Sequence, residues 1–505
     1  MHTRYDSPRS LLRACAVLTA LFFLAAHGYR CLSLSFSADA MLISQTGDAL
    51  YQVSLGRFLQ PVYWLVRGHL TAPLTVGLFA FAFLTGSAYL CARLFGLTRL
   101  WQLALLCGIL TANETMAVSS AAYLPWMDVY ALSLLLNVLG AALFFRGGAA
   151  SLLCILPLTL SLGLYQSYLP VFSTLVILVL LMRLLRGESP SLVWKQGLSA
   201  CALMVVSLLL YALLLRGVLA LTGMEANHDY NGVGNVALPA LSALPQLLAD
   251  TYMTPLTMLF SLSDTPAMMW HISLIPAPLN ILCFAAAGAL LALRLRGRRA
   301  GAVLTALFLV AILPLSVNFI QFIAGGTSNG LTIYAYNLLY LLPMLFAPDA
   351  GGRLQRLLAI SICALLAFFL AVNVRNANQM AVKRDLEFSA TTSAISRILD
   401  RAEQTEGYLP GETPVVIVGM LPSSALALER PGLEAVADAQ GMRYTYAAAY
   451  ETSTYWYLQM ALGERINLIP HEQRVKLDSK ARRMPAYPDE GCCRMIGGRL
   501  YIRLN

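Results

Sequence analysis

Long apolar runs constrain the fold of this chain more than any other feature. They fall at 11–28, 72–92, 100–112, 126–145, 151–165, 169–185, 196–221, 276–295, 301–322, 333–347 and 357–374. A helix needs about 20 apolar residues to cross a bilayer. Only 12% of the residues are charged, whereas a soluble domain carries about 25%. The sequence therefore predicts an all-α polytopic membrane protein in the lipid bilayer, with about eleven transmembrane helices. If the short runs at 151–165 and 169–185 form a hairpin that only dips into the bilayer, nine helices span it.

The basic residues lie in alternate loops. One set of loops holds Arg93, Arg99, Arg146, Arg183, Arg186, Lys195, Arg294, Arg296, Arg298, Arg299, Arg353 and Arg356, and the other set holds chiefly Arg30, Arg57 and Arg67. Arginine and lysine concentrate on the cytoplasmic side. The pattern predicts a cytoplasmic N-terminus and an exterior C-terminus. It also accounts for the net charge of +9 by contact with anionic lipid, so no nucleic-acid partner is predicted. No small-x-small cleavage site closes the first apolar run cleanly, so the first helix is predicted to stay uncleaved.

Two long loops and a tail lie on the predicted exterior side. The loops, at about 29–71 and 222–273, mix apolar and polar residues at near-helical spacing, which favours helices on the membrane face. The tail is charged and contains a predicted helix from about Met380 to Glu406. Predicted strands at Pro414–Gly419 and Leu500–Leu504 follow. We predict a transmembrane domain over 1–374 and a small α/β exterior domain over 375–505.

Acidic and basic residues of the first long loop suit chemistry at a membrane surface. Asp39 follows the first helix, Asp48 comes nine residues later, and Arg57 lies in a Gly-Arg-Phe turn. An acid at the mouth of a cavity can deprotonate a hydroxyl, and an arginine can hold a phosphate with two parallel hydrogen bonds. The structural alternative is that Asp39 caps a surface helix and Arg57 contacts lipid headgroups.

Two further candidates lie at predicted exterior ends of helices. Asp128 enters an apolar helix, where a carboxylate is costly unless it faces a polar cavity or a partner. Tyr165, Gln166 and Tyr168 form a polar, aromatic corner between two short helices, and such side chains suit sugar hydroxyls and ring faces. The alternatives are a satisfied acid at a helix end and ordinary interfacial tyrosines.

Metal and cofactor sites have little support in the sequence. None of the ten cysteines forms a CxxC or Cys/His pattern. His228-Asp229 and His271 are too far apart for a metal site to be argued from them. Asp39 and Asp48 could share an ion, but the sequence predicts no metal and no cofactor.

The order of these elements resembles the GtrII-type glucosyltransferase family of bacterial membrane proteins. The resemblance covers most of the chain. It rests on the acidic first loop through Gly56-Arg57-Phe58-Leu59 to Pro61, on Tyr123 to Asp128, on Gly163 to Pro170 and on Met484 to Pro488. One departure is that Asp39 follows Ala38, whereas the family usually carries two adjacent acids there.

The resemblance implies a GT-C-like enzyme of the bacterial inner membrane. Its donor would be a polyprenyl-phosphate sugar, undecaprenyl-phosphate glucose, and its acceptor a surface glycan such as the O-antigen of lipopolysaccharide. The hypothesis is direct transfer with inversion at the sugar carbon. Asp39 would be the base with Asp48 in reserve, Arg57 would hold the phosphate, and Asp128, Tyr165, Gln166 and Tyr168 would line the sugar site.

Two other functional classes remain open at this point. One is a transporter or flippase of a lipid-linked saccharide, a class that often shows internal repeats and broken helices in matching halves. No such repeat is visible in the sequence, and a flippase does not need a large exterior tail domain. The other is a non-catalytic partner in glycan assembly.

Overall fold

The structure is a computed structural model and consists of a large helical bundle followed by a small sheet. It describes residues 5–37, 48–69, 71–227, 242–260, 275–324, 328–347, 352–419, 432–436, 439, 458, 462–470, 473 and 477–505. The first nine helices are α1 Pro8–Leu32, α2 Asp48–Ser54, α3 Leu59–Arg67, α4 Pro73–Phe95, α5 Leu100–Thr111, α6 Glu114–Ala122, α7 Met127–Phe144, α8 Ile155–Leu164 and α9 Leu169–Arg186. The next nine are α10 Pro190–Thr222, α11 Leu244–Phe260, α12 Ala277–Leu295, α13 Ala300–Ala311, α14 Leu313–Val317, α15 Phe319–Ala324, α16 Tyr334–Asn337, α17 Leu341–Phe346 and α18 Arg353–Glu403.

The helices of the described residues do not confirm the eleven membrane spans that the sequence predicts. Within the described ranges, eight helices are long and apolar enough, and α5 with α6 makes a ninth if this bent pair is one span. Two predicted spans correspond to shorter apolar stretches, Gly148–Leu164 and Tyr334–Phe346. Eleven spans are therefore not confirmed, because these two stretches are shorter than the roughly 20 residues of an upright span.

The bend between α5 and α6 has a local cause. The two helices meet at 43°. Asn113 caps α6, since its Oδ1 accepts a hydrogen bond from the amide of Met116 at 3.0 Å. Its Nδ2 donates to the carbonyl oxygens of Ile109 and Leu110 at the end of α5. The asparagine thus satisfies the backbone groups that a break inside an apolar segment would leave unpaired.

Both long loops contain helices, as the sequence predicts. Helices α2 and α3 lie in the first loop and α11 in the second. Helix α3 is two-sided: Gln60, Trp64 and Arg67 are buried, whereas Leu65 and Val66 are exposed. The buried residues recur at intervals of three and four, which places them on one helix face. That face turns polar side chains towards the bundle.

The tail begins inside a helix. α18 runs without a break through the predicted domain boundary at 374, so the predicted helix from Met380 belongs to a much longer one. No proline or glycine interrupts the sequence between 353 and 403, which is why the helix continues. The predicted strands are confirmed within one residue as β1 Pro414–Val418 and β4 Arg499–Arg503.

Among the described residues, the tail sheet has four strands: β1, β4, β2 Asn467–Leu468 and β3 Cys493–Ile496. Its order is β2-β1-β4-β3. β1 pairs parallel with β2 and β4, and β3 pairs antiparallel with β4. Ile395 and Ile398 of α18 pack on Val415, Leu500 and Ile502 in one apolar cluster. One end of α18 therefore belongs to the tail core.

Candidate functional site

Three chain turns meet at the end of the bundle where α1 ends and α7 and α9 begin. They are the turn between α2 and α3, the 3-10 turn Leu124–Trp126 before α7, and the 3-10 turn Gln166–Tyr168 before α9. Pro125 and Pro170 lie at the starts of their helical segments, where proline needs no hydrogen-bonded amide. All but one of the predicted site residues that the structure describes lie in or beside these turns, and the exception is Asp48.

The turn between α2 and α3 carries Arg57 and is fixed by two polar side chains from other helices. Nε2 of Gln166 donates to the carbonyl oxygen of Leu55 at 2.9 Å. The Tyr211 hydroxyl of α10 donates to the carbonyl oxygen of Gly56 at 3.0 Å. Gly56 has φ +78°, and a Cβ there would lie 2.3 Å from the Tyr211 hydroxyl oxygen. Only glycine fits this position without rearrangement.

Arg57 lies against the tyrosine of the α8–α9 corner. Its guanidinium carbon is 4.9 Å from the centre of the Tyr165 ring, which is within cation–π range. Nη1 also approaches Oε1 of Gln52 at 3.4 Å. We call Arg57, Tyr165, Gln166 and Tyr211 the arginine corner. The structure thus brings together three residues that the sequence nominated separately: Arg57, Tyr165 and Gln166.

Asp128 belongs to a second polar group. We call it the aspartate pair after the ion pair between Arg67 and Asp128, and it also includes Tyr63. Nη1 of Arg67 lies 2.9 Å from Oδ1 of Asp128, and both side chains are almost fully buried. The Tyr63 hydroxyl donates to Oδ2 at 2.8 Å, and the amide of Val129 donates to Oδ1 at 3.0 Å. Burial, together with the neighbouring carboxylate, raises the pKa of the Tyr63 hydroxyl well above its ordinary range. Tyr63 therefore stays protonated and remains a donor.

The two groups are joined by an amide. Nε1 of Trp126 donates to Oε1 of Gln60 at 3.1 Å, and Nε2 of Gln60 donates to the carbonyl oxygen of Leu164 at 2.7 Å. Gln60 is completely buried. It ties α3 to the turn before α7 and to the end of α8, so the arginine corner and the aspartate pair share one scaffold.

Tyr168 lies behind the corner instead of on its surface. It is fully buried and stacks between Tyr130 and Tyr334, with ring centres 6.1 and 5.1 Å away. Tyr130 in turn packs 4.5 Å from Tyr165. The Tyr168 hydroxyl has no hydrogen-bond partner within the described part of the chain. The Tyr168 ring therefore packs inside the bundle, behind the arginine corner.

The two acids of the first loop are less fully described. Asp39 lies outside the described residues, and Asp48 begins α2 without a described side chain. Ser37, two residues before Asp39, donates from its hydroxyl to the carbonyl oxygen of Ala122 at the end of α6. The chain that leads to Asp39 is thus anchored six residues before Asp128.

No metal centre can be assembled from the described residues, where no group of three or more His, Cys, Asp or Glu could hold an ion. His228, Asp229 and His271 lie outside those residues. An apolar cavity of about 240 Å³ lies between α9, α10 and α13, lined among others by Phe172, Val176, Trp194 and Phe308. It offers hydrocarbon contacts and no charged group.

Sequence reasoning missed several residues that build the site. The sequence pattern uses Arg67 only to predict membrane topology. It gives no role to four further residues of the site, namely Tyr63, Gln60, Tyr130 and Tyr211. A signal was present for two of them, because Tyr63 and Arg67 are four residues apart and share a helix face. For Tyr211 the sequence held none, since it lies in an apolar helix far from the first loop.

Comparison with known proteins adds one match. A family model described as Glucosyl transferase GtrII matches residues 29–346. This range contains the arginine corner and the aspartate pair, and it ends before α18 and the tail. No curated protein and no solved structure matches the chain.

Proposed function

Since the chain belongs to the GtrII glucosyl transferase family, we propose that it moves a hexose, glucose by family, from a polyprenyl phosphate to a surface glycan. Family membership makes the chain a glycosyltransferase. The lipid-linked donor, the exterior face and the acceptor are our additions. In a bacterial cell these would be undecaprenyl-phosphate glucose, the periplasmic face of the inner membrane and O-antigen or a related glycan.

The reaction is a single displacement at the anomeric carbon. The acceptor hydroxyl oxygen attacks this carbon and forms the new glycosidic bond. The bond from the anomeric carbon to the phosphate oxygen breaks, and polyprenyl phosphate leaves with the bonding electrons. The acceptor proton passes to a carboxylate acting as general base. The sugar carbon inverts because attack and departure take place on opposite faces.

The arginine corner is the observation that carries this proposal. A phosphate leaving group gains negative charge as the bond breaks, and a guanidinium can hold its oxygens in two-pronged fashion. Arg57 supplies that cation beside the aromatic face of Tyr165. Aromatic rings and amides are suited to sugar faces and hydroxyls, which gives Tyr165 and Gln166 their proposed part in hexose binding.

Asp39 is the proposed base and Asp48 its reserve. Ser37 is bonded to the end of α6, and two residues of chain reach at most about 7 Å. Ser37 therefore lies at the same end of the bundle as the turn before α7, and the proposed base follows it in the sequence by two residues. An acid there can meet an acceptor that approaches from water, whereas the donor lipid remains in the bilayer.

Asp128 and Tyr168 take supporting parts in this proposal. The Asp128 carboxylate already receives hydrogen bonds from Tyr63, Arg67 and Val129, so taking a proton would cost it the ion pair. Its contribution would be to hold α3, and with it the Arg57 turn, against the sugar site. Tyr168 would support Tyr165 directly, with ring centres 5.7 Å apart, and through Tyr130, which contacts both rings.

Purified protein in proteoliposomes tests the proposal. Labelled polyprenyl-phosphate hexose and an acceptor glycan are supplied on the face that carries the C-terminus. The expected result is label on the glycan together with free polyprenyl phosphate. Movement of the intact donor across the bilayer without transfer would instead identify a flippase. Neither transfer nor movement, with a folded protein, would indicate a non-catalytic partner.

A further inference from the structure

We propose that Arg384 and Asp385 of the tail helix α18 are positioning residues for the transfer reaction, because they hold the segment from which the acidic loop departs. This inference rests on the proposed function, in which Asp39 is the base. The family match ends at residue 346, so α18 lies wholly beyond it. The proposal thus assigns part of the site to a region that the family match does not cover.

The Asp385 carboxylate accepts hydrogen bonds from three hydroxyl groups at and just beyond the end of α1. Ser33 and Ser35 each donate to its Oδ1 at 2.5 Å, and Tyr29 donates to Oδ2 at 2.6 Å. These donors lie in one seven-residue stretch that ends four residues before Asp39. One carboxylate on α18 therefore fixes the direction in which the chain leaves the membrane helix.

Two buried arginines complete the attachment. Arg30 donates to the carbonyl oxygens of Ser33 and Ser35, and its Nε donates to the carbonyl oxygen of Ser120 at 3.0 Å. Nε of Arg384 donates to the carbonyl oxygen of Ala121 at 3.1 Å. Both arginines are almost completely buried. They meet the carbonyl end of α6, where the helix dipole favours cations.

The arrangement encloses the segment Ser33–Ser37 from two sides. On one side α6 provides backbone carbonyl oxygens for Arg30, Arg384 and the Ser37 hydroxyl. On the other side α18 provides Asp385 and a ring contact between Phe388 and Phe36 at 6.2 Å. We call these contacts of Arg384 and Asp385 the tail latch.

The Arg384 charge in the tail latch is partly balanced by an acid on the same helix. Arg384 lies 3.5 Å from Glu387, which also pairs with Lys383 one turn away on the same helix. A buried cation with no such partner would be strongly unfavourable. The balance lets α18 present Arg384 to α6 as a fixed donor. The segment before the base is therefore held by a helix that also belongs to the tail core.

A base works only when it is placed within hydrogen-bond reach of its proton, and a misplacement of about 1 Å can cost about 100-fold in rate. Loosening the tail latch should therefore reduce kcat and leave the donor site at the arginine corner unchanged. That difference separates a positioning role from a general loss of folded protein, which would lower the amount of active enzyme without loosening the loop.

The test uses full-length protein in detergent and two readouts. Asp385→Asn is compared with Asp400→Asn, an exposed acid on the same helix, as the matched control. We expect Asp385→Asn to lower kcat about 10- to 100-fold, with the donor KM changed less than about 2-fold. Hydrogen exchange of the amides at 33–37 should accelerate about 10-fold or more, as expected when local opening becomes easier. Asp400→Asn should change neither.

A double variant sharpens the test. Because Ser35 acts through Asp385, Ser35→Ala combined with Asp385→Asn should be no slower than Asp385→Asn alone. Multiplicative losses, or unchanged exchange at 33–37 in Asp385→Asn, would overturn the tail latch. Faster exchange with normal kcat would overturn its catalytic role. Asp39→Asn is assayed in parallel: normal turnover there removes the base assignment and the catalytic half of this proposal, while the exchange result still decides whether α18 holds the loop.

Discussion

Arg57 and Arg67 of the first loop lie ten residues apart and make different contacts. Arg67 forms a buried ion pair with Asp128, and Arg57 lies over the Tyr165 ring and near the Gln52 amide. Breaking a buried ion pair leaves an uncompensated charge, but a cation–π contact can be exchanged for a phosphate at modest cost. The comparison teaches that the aspartate pair is suited to hold the helices of the site in place. The arginine corner is suited to bind the phosphate of the donor.

The largest change in kcat is expected when Asp39, the proposed base, is replaced, and a much smaller one when Asp48 is replaced. If Asp39 is the base, Asp39→Asn should reduce kcat about 10²- to 10⁴-fold with normal folding and near-normal donor binding. Asp48→Asn in the same loop is the control and should have the milder effect. Turnover assays with purified variants measure both. Near-normal turnover in Asp39→Asn together with loss in Asp128→Asn would mean that the base is misassigned.

Replacement of Asp128 should mainly lower the stability of the folded protein. Asp128→Ala leaves Arg67 buried without its partner, which should lower the free energy of unfolding in detergent by about 3–5 kcal/mol. The double variant Arg67→Met with Asp128→Leu removes both charges and should recover much of that loss. A stable Asp128→Ala protein with no turnover would contradict the supporting role and would make Asp128 a catalytic residue.

The smallest effect is expected at the back of the arginine corner. Tyr168→Phe removes a buried hydroxyl that has no partner among the described residues and keeps the stacked ring. Stability should stay equal or rise by about 1 kcal/mol, because an unsatisfied buried polar group is costly. Donor KM should not change. Tyr165→Phe is the matched comparison. A large rise in KM for Tyr168→Phe would show that its hydroxyl reaches the sugar after all.

Local signals in the sequence predicted much of this architecture. Apolar runs located the long helices, a β-branched run located β1, and periodic residues located helices in both long loops. The predicted spans at Gly148–Leu164 and Tyr334–Phe346 are not confirmed, because apolar composition alone does not reveal how short these helices are. Helix α18 continues past the predicted boundary at 374, because charge changes there while helix propensity does not.

The candidate site was predictable as a set of residues but not as a set of contacts. The position of Asp128 in an apolar helix indicates that its carboxylate has a polar or charged partner. Nothing in the sequence, however, selects Arg67 among the loop arginines. Gly56, Gln166 and Tyr211 meet although more than 40 residues separate each from the next. Such contacts depend on how the helices pack. Tyr168 is predicted as a sugar ligand from its place in a polar, aromatic corner, whereas its burial is set by Tyr130 and Tyr334 from distant segments.

Binding of the leaving group itself tests the central claim most directly. Polyprenyl phosphate without a sugar is titrated into purified wild type, Arg57→Ala and Arg57→Lys, and the Kd is measured. A charge-assisted contact to the phosphate is worth about 1.5–3 kcal/mol, so Arg57→Ala should bind about 10- to 100-fold more weakly, with Arg57→Lys in between. Equal Kd values for all three folded proteins would contradict the account, because the phosphate would then lie elsewhere.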